Sequence, residues 1–473
     1  MKKSLVFLLL LTFLINPSPV FAHAFGKLYN LPVPFWLYAF GGAGAVVVSF
    51  IVIGFFLNER KVLQYPSINI SGFLIFKYLK SKLIVNSLKA LSVLLFMLTV
   101  ATGLFGVNNS YFNFNMTFFW IIFLLGFTYL TALLGDIYSV INPWKVIVEW
   151  FENVTGEEDT IGIFKYPESL SYWPAFAGYF LLICVELFGD TDPQKLSLLI
   201  IFYTLLIFLG VTFFGKKNTF EYFDFFGLFF KLISRVAPIQ YRNGKIFLEL
   251  PFTAILKAQP VKDLSLLVFI VFMLSSTAFD GFRETTPWYR FYWNNIDQFI
   301  RPILQDSSYD TFQFISLFLS PLFFLAIFLS MIFLSKILTK NSESILSLSC
   351  KFAYTLIPIA LVYNIAHYYA LLITSGSGIF NIISDPFGIG WNLFGTADIP
   401  INFILDTNIL WHTQVALILI GHIVSVYLAH EVAFYVFHDG KKALLSQMPI
   451  LILMVIYTVI GLWILSQPMS SGI

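Results

Sequence analysis

Long apolar runs are the feature that most constrains how this chain of 473 residues can fold. A helix needs about 20 apolar residues to cross a bilayer, because inside lipid every backbone polar group must be bonded within the segment. Ten runs of roughly that length occur, near residues 35–57, 90–106, 115–134, 173–188, 195–214, 264–279, 312–335, 351–374, 409–430 and 448–466. The sequence therefore predicts an all-α, polytopic transmembrane helix bundle with about ten spans.

Composition agrees with this class and argues against others. Hydrophobic residues make up 58% of the chain and charged residues 11%, which is far too apolar for a soluble protein. The net charge of +2, without a long basic run, argues against a nucleic-acid partner. The two cysteines, Cys184 and Cys350, fall in or beside predicted spans, so neither a disulfide framework nor a paired-cysteine metal site is expected.

The N-terminal stretch MKKSLVFLLLLTFLINPSPVFA has the anatomy of a secretory signal peptide. Lys2 and Lys3 precede a short apolar core, and a proline-containing break leads to Ala22. Cleavage after Ala22 would give a mature chain that begins at His23 and forms a single transmembrane domain over residues 23–473. The alternative is an uncleaved signal anchor.

Basic residues are distributed unevenly between the two sets of connections that join the spans. One set carries 21 of the 28 Lys and Arg residues and the other carries five. Because positively charged loops stay in the cytoplasm, this asymmetry predicts a multi-pass inner-membrane protein with both mature termini on the extracytoplasmic side. Two cytoplasmic segments, 71–84 and 219–238, combine charged and apolar residues at helical spacing, which favours helices lying in the headgroup plane.

Several ionisable residues fall near the predicted extracytoplasmic face. Asp280 and Glu284 follow the span that ends near residue 279, and His367 lies about 10 Å below the same boundary. Asn364 precedes His367 by one helical turn and suits a hydrogen bond that orients it. The next connection, 374–400, carries Asp385 and Asp398 but no Lys or Arg, and its Gly, Pro and aromatic residues suit an ordered lid.

Histidines in the following span can cooperate with these groups only across helices. His412 and His430 are 18 residues apart, or about 27 Å along a helix, and cannot bind one ion. Ligation of one metal would therefore combine His367 with His412 or His422, and with Asp280 or Glu284. The alternative is that each histidine makes an ordinary hydrogen bond between helices.

Six segments together resemble bacterial membrane proteins of the fenitrothion hydrolase family. They are HAFGKLYNLPVPFWLY, GDIYSVINPW, STAFDGF with TPW soon after, PIALVYNIAHYYALLI, SDPFGIGWNLFGTAD and GHIVSVYLAHE. The resemblance covers nearly the whole chain in order. It implies hydrolysis of an organophosphate triester at the P–O–aryl bond, with a natural substrate that differs from the man-made one.

Such a reaction favours a bound divalent ion, which lowers the pKa of water and stabilises charge on the phosphoryl oxygen. The expected metal is zinc or copper, and the candidate ligands are Asp280, His367, His412 and His422. The candidate catalytic carboxylates are Glu284, Asp385 and Asp398, the last two as a general base on the lid. The expected partners are membrane lipid and a lipophilic small molecule that enters from the bilayer.

Three other functions stay open at this point. His23 at a mature N-terminus would offer an amine and an imidazole to copper. His367 and His422 on adjacent helices could be the axial ligands of a haem. Ten spans also suit a transporter, although neither an inverted repeat nor a chain of intramembrane carboxylates is visible.

Overall fold

The computed structural model describes residues 33–56, 65–156, 162–189, 191–400, 403 and 405–467. The predicted signal peptide, 1–22, and His23 lie outside the described residues. Helices dominate the described part and are, in chain order, α1 (Phe35–Phe56), α2 (Leu74–Leu79), α3 (Lys82–Phe105), α4 (Phe114–Leu134), α5 (Tyr138–Ile141), α6 (Pro143–Thr155), α7 (Trp173–Phe188), α8 (Pro193–Asn218), α9 (Phe225–Ile233), α10 (Thr253–Leu256), α11 (Leu264–Arg283), α12 (Thr286–Phe291), α13 (Asp297–Leu304), α14 (Ser308–Thr339), α15 (Ile345–Phe352), α16 (Ile357–Thr374), α17 (Ile379–Ile382), α18 (Thr407–Phe437) and α19 (Gly440–Ser466).

Short π- and 3-10-helical stretches join or interrupt several of these helices. The π-helical stretches are Thr117–Gly126 within α4, Thr219–Phe223 and Tyr292–Ile296. The 3-10 stretches are Ser234–Val236, Gln305–Ser307, Ala353–Leu356 and Gly376–Gly378.

Nine helical stretches among the described residues are long and apolar enough to cross a bilayer. The predicted all-α polytopic bundle is therefore confirmed. The predicted span at 173–188 corresponds to α7, whose 16 residues extend about 24 Å and fall short of a hydrocarbon core of about 30 Å. Among the described residues, nine rather than ten helical stretches thus meet the length criterion.

Helix α11 is the interior helix of the bundle. Nearly all of its residues from Ser265 to Gly281 are buried, and it packs against α7, α14, α16 and α19. By contrast, helices such as α3 and α14 expose large apolar side chains along one side. A helix with protein on every side can carry polar groups that a lipid-facing helix cannot, so α11 is suited to hold a functional site.

The sequence predicted that the segment 219–238 lies on the surface. The structure instead buries most of it inside the bundle. Phe226, Leu228 and Phe230 of α9 are at most 4% exposed and pack against α4, α5 and α7. Asp224, expected on a polar outer face, is 1% exposed. The segment does form a helix, but the apolar face of that helix packs against protein rather than lipid.

The segment 71–84 does lie at the surface of the described structure. The side chains of Phe73, Leu74, Ile75 and Tyr78 are each more than 60% exposed beside exposed Lys77. This exposure is compatible with an interfacial helix, whose position against lipid stays a prediction.

A small antiparallel sheet, absent from the sequence predictions, joins distant parts of the chain. Its strands are β1 (Ile68–Asn69), β2 (Ile239–Arg242) and β3 (Lys245–Leu248), in the order β1-β3-β2. Ile68 pairs with Leu248, and Gln240 pairs with Phe247. Residues 249–263 connect this sheet to α11, whose first residue, Leu264, lies about 24 Å along the helix axis from Asp280.

Candidate functional site

The candidate site forms around Asp280 in the last turns of α11. Asp280 and Arg283 are three residues apart, which places them on the same face of the helix. The helix ends at Arg283, after which Thr285 caps α12 by accepting a hydrogen bond from the Trp288 amide. The sequence thus places an acid and a base together where the interior helix ends.

Asp280 accepts hydrogen bonds from at least three side chains although it is only 1% exposed. Its Oδ2 lies 3.0 Å from His367 Nε2 and 2.6 Å from the Tyr368 hydroxyl. Its Oδ1 lies 3.3 Å from Arg283 Nε. Such a set of donors is what a buried carboxylate needs to offset the loss of water.

Arg283 links this carboxylate to two further helices. Its Nη1 donates to the Leu187 carbonyl of α7 at 3.1 Å and to Gln313 Oε1 of α14 at 3.0 Å. Its Nη2 lies 3.1 Å from Glu284 Oε1. Arg283 therefore fixes the orientation of Asp280 relative to α7 and α14.

His367 on α16 presents a second ring nitrogen away from Asp280. A ring that donates from Nε2 to the carboxylate keeps a lone pair on Nδ1. A Cβ atom added at Gly281 would lie 3.6 Å from this Nδ1, so the ring edge packs beside Gly281. The His367 side chain is 10% exposed, and its contact with Asp280 fixes the orientation of the ring.

A cavity of about 50 Å³ adjoins Asp280 on the side of α7 and α9. Its polar lining includes Tyr179, Glu186, Ser276, Thr277, Asp280, Asn364 and Tyr368, and the rest is apolar. A water molecule needs about 10–15 Å³ by this measure, so the cavity has room for several.

The predicted site residues fall into two groups. Asp280 and His367 are in direct contact, and Glu284 joins them through Arg283. Among the described residues, no hydrogen bond joins the side chains of Asn364 and His367. Asn364 lines the cavity instead.

The histidines of α18 are used elsewhere in the described structure. His412 is exposed, and its Nδ1 lies 2.7 Å from the Asn408 carbonyl and its Nε2 3.5 Å from the Tyr38 hydroxyl. His422 is buried and donates from Nδ1 to the Ile418 carbonyl at 2.8 Å. His430 Nδ1 lies 3.0 Å from Gln447 Oε1.

The two predicted lid carboxylates also have local roles. Asp385 accepts hydrogen bonds from the backbone amides of Ile389 at 3.1 Å and Gly390 at 2.8 Å, which stabilises its own turn. Asp398 is exposed. The segment 374–400 is ordered by such contacts, as Asn381 Nδ2 also donates to the Thr396 carbonyl at 2.7 Å.

The predicted metal ligands do not converge within the described residues. No group of three or more His, Cys, Asp or Glu side chains there is placed to hold an ion. His367 Nε2 is bonded to Asp280, His412 contacts the Asn408 carbonyl and the Tyr38 hydroxyl, and His422 bonds the Ile418 carbonyl within α18. His23 lies outside the described residues.

Sequence reasoning missed three residues of this cluster. Tyr368 is adjacent to His367, Arg283 follows Asp280 by one turn, and Glu186 is a carboxylate inside the apolar stretch LLICVELF. The last of these carried a clear signal, because an ionisable residue within a membrane helix generally marks a polar interior.

No family model, curated protein or solved structure matches this chain. The resemblance to the fenitrothion hydrolase family therefore stays a prediction from the sequence.

Proposed function

We propose that the protein is an integral membrane hydrolase of lipophilic esters, in which His367 acts as the general base and Asp280 orients it. The observation that supports this most is the 3.0 Å hydrogen bond between His367 Nε2 and Asp280 Oδ2. The site belongs near the extracytoplasmic face of the inner membrane, according to the distribution of Lys and Arg.

The chemistry follows from the two ring nitrogens. Asp280 accepts a hydrogen bond from Nε2–H, so Nδ1 can take a proton from an attacking water, and the carboxylate stabilises the resulting imidazolium. The water oxygen forms a bond to phosphorus while the P–O–aryl bond breaks, and the aryloxide leaves with the bonding electrons. The proton on His367 then passes to solvent or to the leaving group, which restores the neutral ring.

Tyr368 and Arg283 are positioning residues in this proposal. Their hydrogen bonds to Asp280 hold the carboxylate in the plane that suits His367. Catalytic groups must be held close to the productive geometry. Loss of a hydrogen bond from a positioning residue therefore makes the orientation of the catalytic group less precise.

The substrate class is an uncharged triester with an aryl leaving group. The sequence resemblance implies phosphotriesters, and the apolar bundle favours a substrate that dissolves in lipid. The exposed edge of His367 is small, so a compact acyl or phosphoryl centre suits the site better than a bulky one.

A divalent metal, zinc or copper, stays a prediction. The residues proposed to bind it do not form a three-ligand set among the described residues, so no step above passes through a metal. Elemental analysis of the purified protein, together with its visible absorption spectrum, distinguishes zinc, copper and haem.

Turnover of diethyl para-nitrophenyl phosphate by the purified protein in lipid nanodiscs tests the proposal. We expect release of nitrophenolate to fall about 10²- to 10⁴-fold in His367→Ala, because general-base catalysis contributes that much. Asp280→Asn should fall by a similar factor. Tyr368→Phe should lower kcat more than it changes KM, because it alters the orientation of the base rather than the binding of substrate.

His412→Ala is the matched control, because it removes an exposed histidine from the neighbouring helix α18 and should leave turnover unchanged. Equal activity in His367→Ala, His412→Ala and the parent protein, with all three folded, would contradict the proposal.

A further inference from the structure

We propose that the surface formed by α2 and the turn between β2 and β3 binds the headgroups of anionic phospholipids in the adjoining leaflet of the membrane. We call this surface, residues 71–82 and 242–246, the basic corner. The proposal goes beyond hydrolysis and does not depend on it. It rests on exposed apolar side chains, exposed lysines and the contacts that hold the two segments together.

Helix α2 exposes apolar side chains beside a membrane-spanning helix. Phe73, Leu74 and Ile75 are each more than 60% exposed. Only Lys80 and Ser81 separate α2 from α3, which is long and apolar enough to cross a bilayer. An exposed apolar patch so close to a span is placed to insert at the boundary between headgroups and acyl chains.

Three exposed lysines, Lys77, Lys82 and Lys245, add positive charge to the same surface. Neither segment of the basic corner contains Asp or Glu. Glu249, which follows the second segment, has a fully buried side chain that pairs with Arg242. The basic corner therefore combines apolar side chains with unopposed positive charge, which complements a leaflet that carries anionic headgroups.

Hydrogen bonds hold the two segments of the basic corner against each other. Lys80 Nζ donates to the Gly244 carbonyl at 2.5 Å, and the Ile246 amide donates to Ser71 Oγ at 2.7 Å. The turn that carries Lys245 is therefore fixed beside α2. Cations that are already held together lose less freedom on binding than separate flexible ones, which favours binding of one anionic surface by the whole cluster.

The apolar side chains favour a lipid over a soluble anion. A free phosphate ion would contact the lysines alone and leave Phe73, Leu74 and Ile75 exposed to water. A phospholipid offers a phosphate to the lysines and acyl chains to the apolar side chains. The distribution of Lys and Arg predicts that this side is cytoplasmic, and the cytoplasmic leaflet carries anionic lipids.

Titration of lipid onto the purified full-length protein in detergent micelles tests the proposal, with thermal unfolding as the readout. A ligand that binds the folded state raises Tm as its concentration exceeds Kd. We expect phosphatidylglycerol to raise Tm more than phosphatidylcholine with the same acyl chains. The difference should shrink in about 1 M sodium chloride, where charges are screened beyond about 3 Å. No triester is present, so failure of the proposed hydrolysis does not alter this result.

A variant that combines Lys77→Gln, Lys82→Gln and Lys245→Gln should lose the preference for phosphatidylglycerol. Each lysine near an anionic membrane surface contributes about fivefold to binding, so the apparent affinity should fall on the order of a hundredfold. The response to phosphatidylcholine should stay unchanged, because its headgroup carries no net charge.

The matched control removes three exposed lysines elsewhere on the predicted cytoplasmic side and should keep the preference for phosphatidylglycerol. Its substitutions are Lys340→Gln, Lys441→Gln and Lys442→Gln. Because both variants lose the same charge, the comparison separates the basic corner from the net charge of the protein.

Three results would overturn the proposal. They are equal stabilisation by the two lipids, an equal loss of preference in both triple variants, and equal stabilisation by inorganic phosphate, which would indicate a site for a soluble anion. If the first triple variant fails to fold, Lys77→Gln alone replaces it and should weaken the affinity about fivefold. An unchanged affinity in that single variant would also overturn the proposal.

Discussion

At the scale of single residues, several buried carboxylates in this protein each accept hydrogen bonds from more than one donor. Asp280 accepts from His367, Tyr368 and Arg283, and Asp224 accepts from Asn142 and Tyr203. The side chain of Glu249 is fully buried, 2.7 Å from Arg242 and 3.0 Å from Lys257. The cost of removing a carboxylate from water explains why each one has more than one partner.

Glu249 carries a prediction about acid stability. Burial alone would raise the pKa of Glu249, but hydrogen bonds from Lys257, Ser67 and Arg242 outweigh it and hold the pKa below the ordinary value of 4.5. A group with a lowered pKa in the folded state stabilises the protein above its ordinary pKa, and that contribution is lost as the pH falls through the lowered value. We therefore expect Glu249→Gln to lower Tm at neutral pH and to differ less from the parent below pH 4.5.

Thermal unfolding of both proteins across the acid range measures this difference. Glu168→Gln, which alters an exposed carboxylate, should follow the parent curve. A constant difference between Glu249→Gln and the parent at every pH would contradict the argument.

At the scale of elements, helix α9 shows how one capping residue fixes the position of a buried helix. Asp224 is its N-cap and accepts from the Gly227 amide at 3.1 Å. The same carboxylate binds Asn142 Nδ2, the N-cap residue of α6, at 2.6 Å and the Tyr203 hydroxyl of α8 at 2.7 Å. One side chain therefore determines where α6, α8 and α9 meet.

Asp224→Ala should destabilise the protein by about 2–4 kcal/mol, because it removes a helix cap and leaves two buried partners without an acceptor. Asp439→Ala removes the exposed N-cap of α19 and should cost about 1 kcal/mol. Chemical unfolding in mixed micelles measures both values. Equal losses in the two variants would show that the contacts with Asn142 and Tyr203 add nothing.

At the scale of the whole molecule, the bundle is organised around α11. Phe272 of this helix is fully buried, and its ring lies 5.3 Å from that of Tyr179 and 5.6 Å from that of Phe176. Tight packing of this kind gives the interior helix one fixed rotation. That rotation directs Asp280 toward α16 and the cavity.

Phe272→Ala should destabilise the protein by about 3–5 kcal/mol, because it leaves a cavity in a packed interior. Phe323→Ala on α14 changes a ring that is 62% exposed and should stay within about 0.5 kcal/mol of the parent. Unfolding of the two variants in the same micelles gives the comparison. Similar losses at both positions would mean that α11 is less tightly packed than its burial indicates.

The sequence by itself determined the helical, membrane-spanning class, because the backbone of each span satisfies its own hydrogen bonds and needs no distant partner. It also indicated Asp280 and His367, since ionisable residues inside apolar runs need a polar interior. Only the tertiary structure decided that these two meet while His412 and His422 make their contacts away from them, and that 219–238 is buried. Which side chains meet depends on how helices rotate and pack against one another, and that information is spread over residues far apart in the chain.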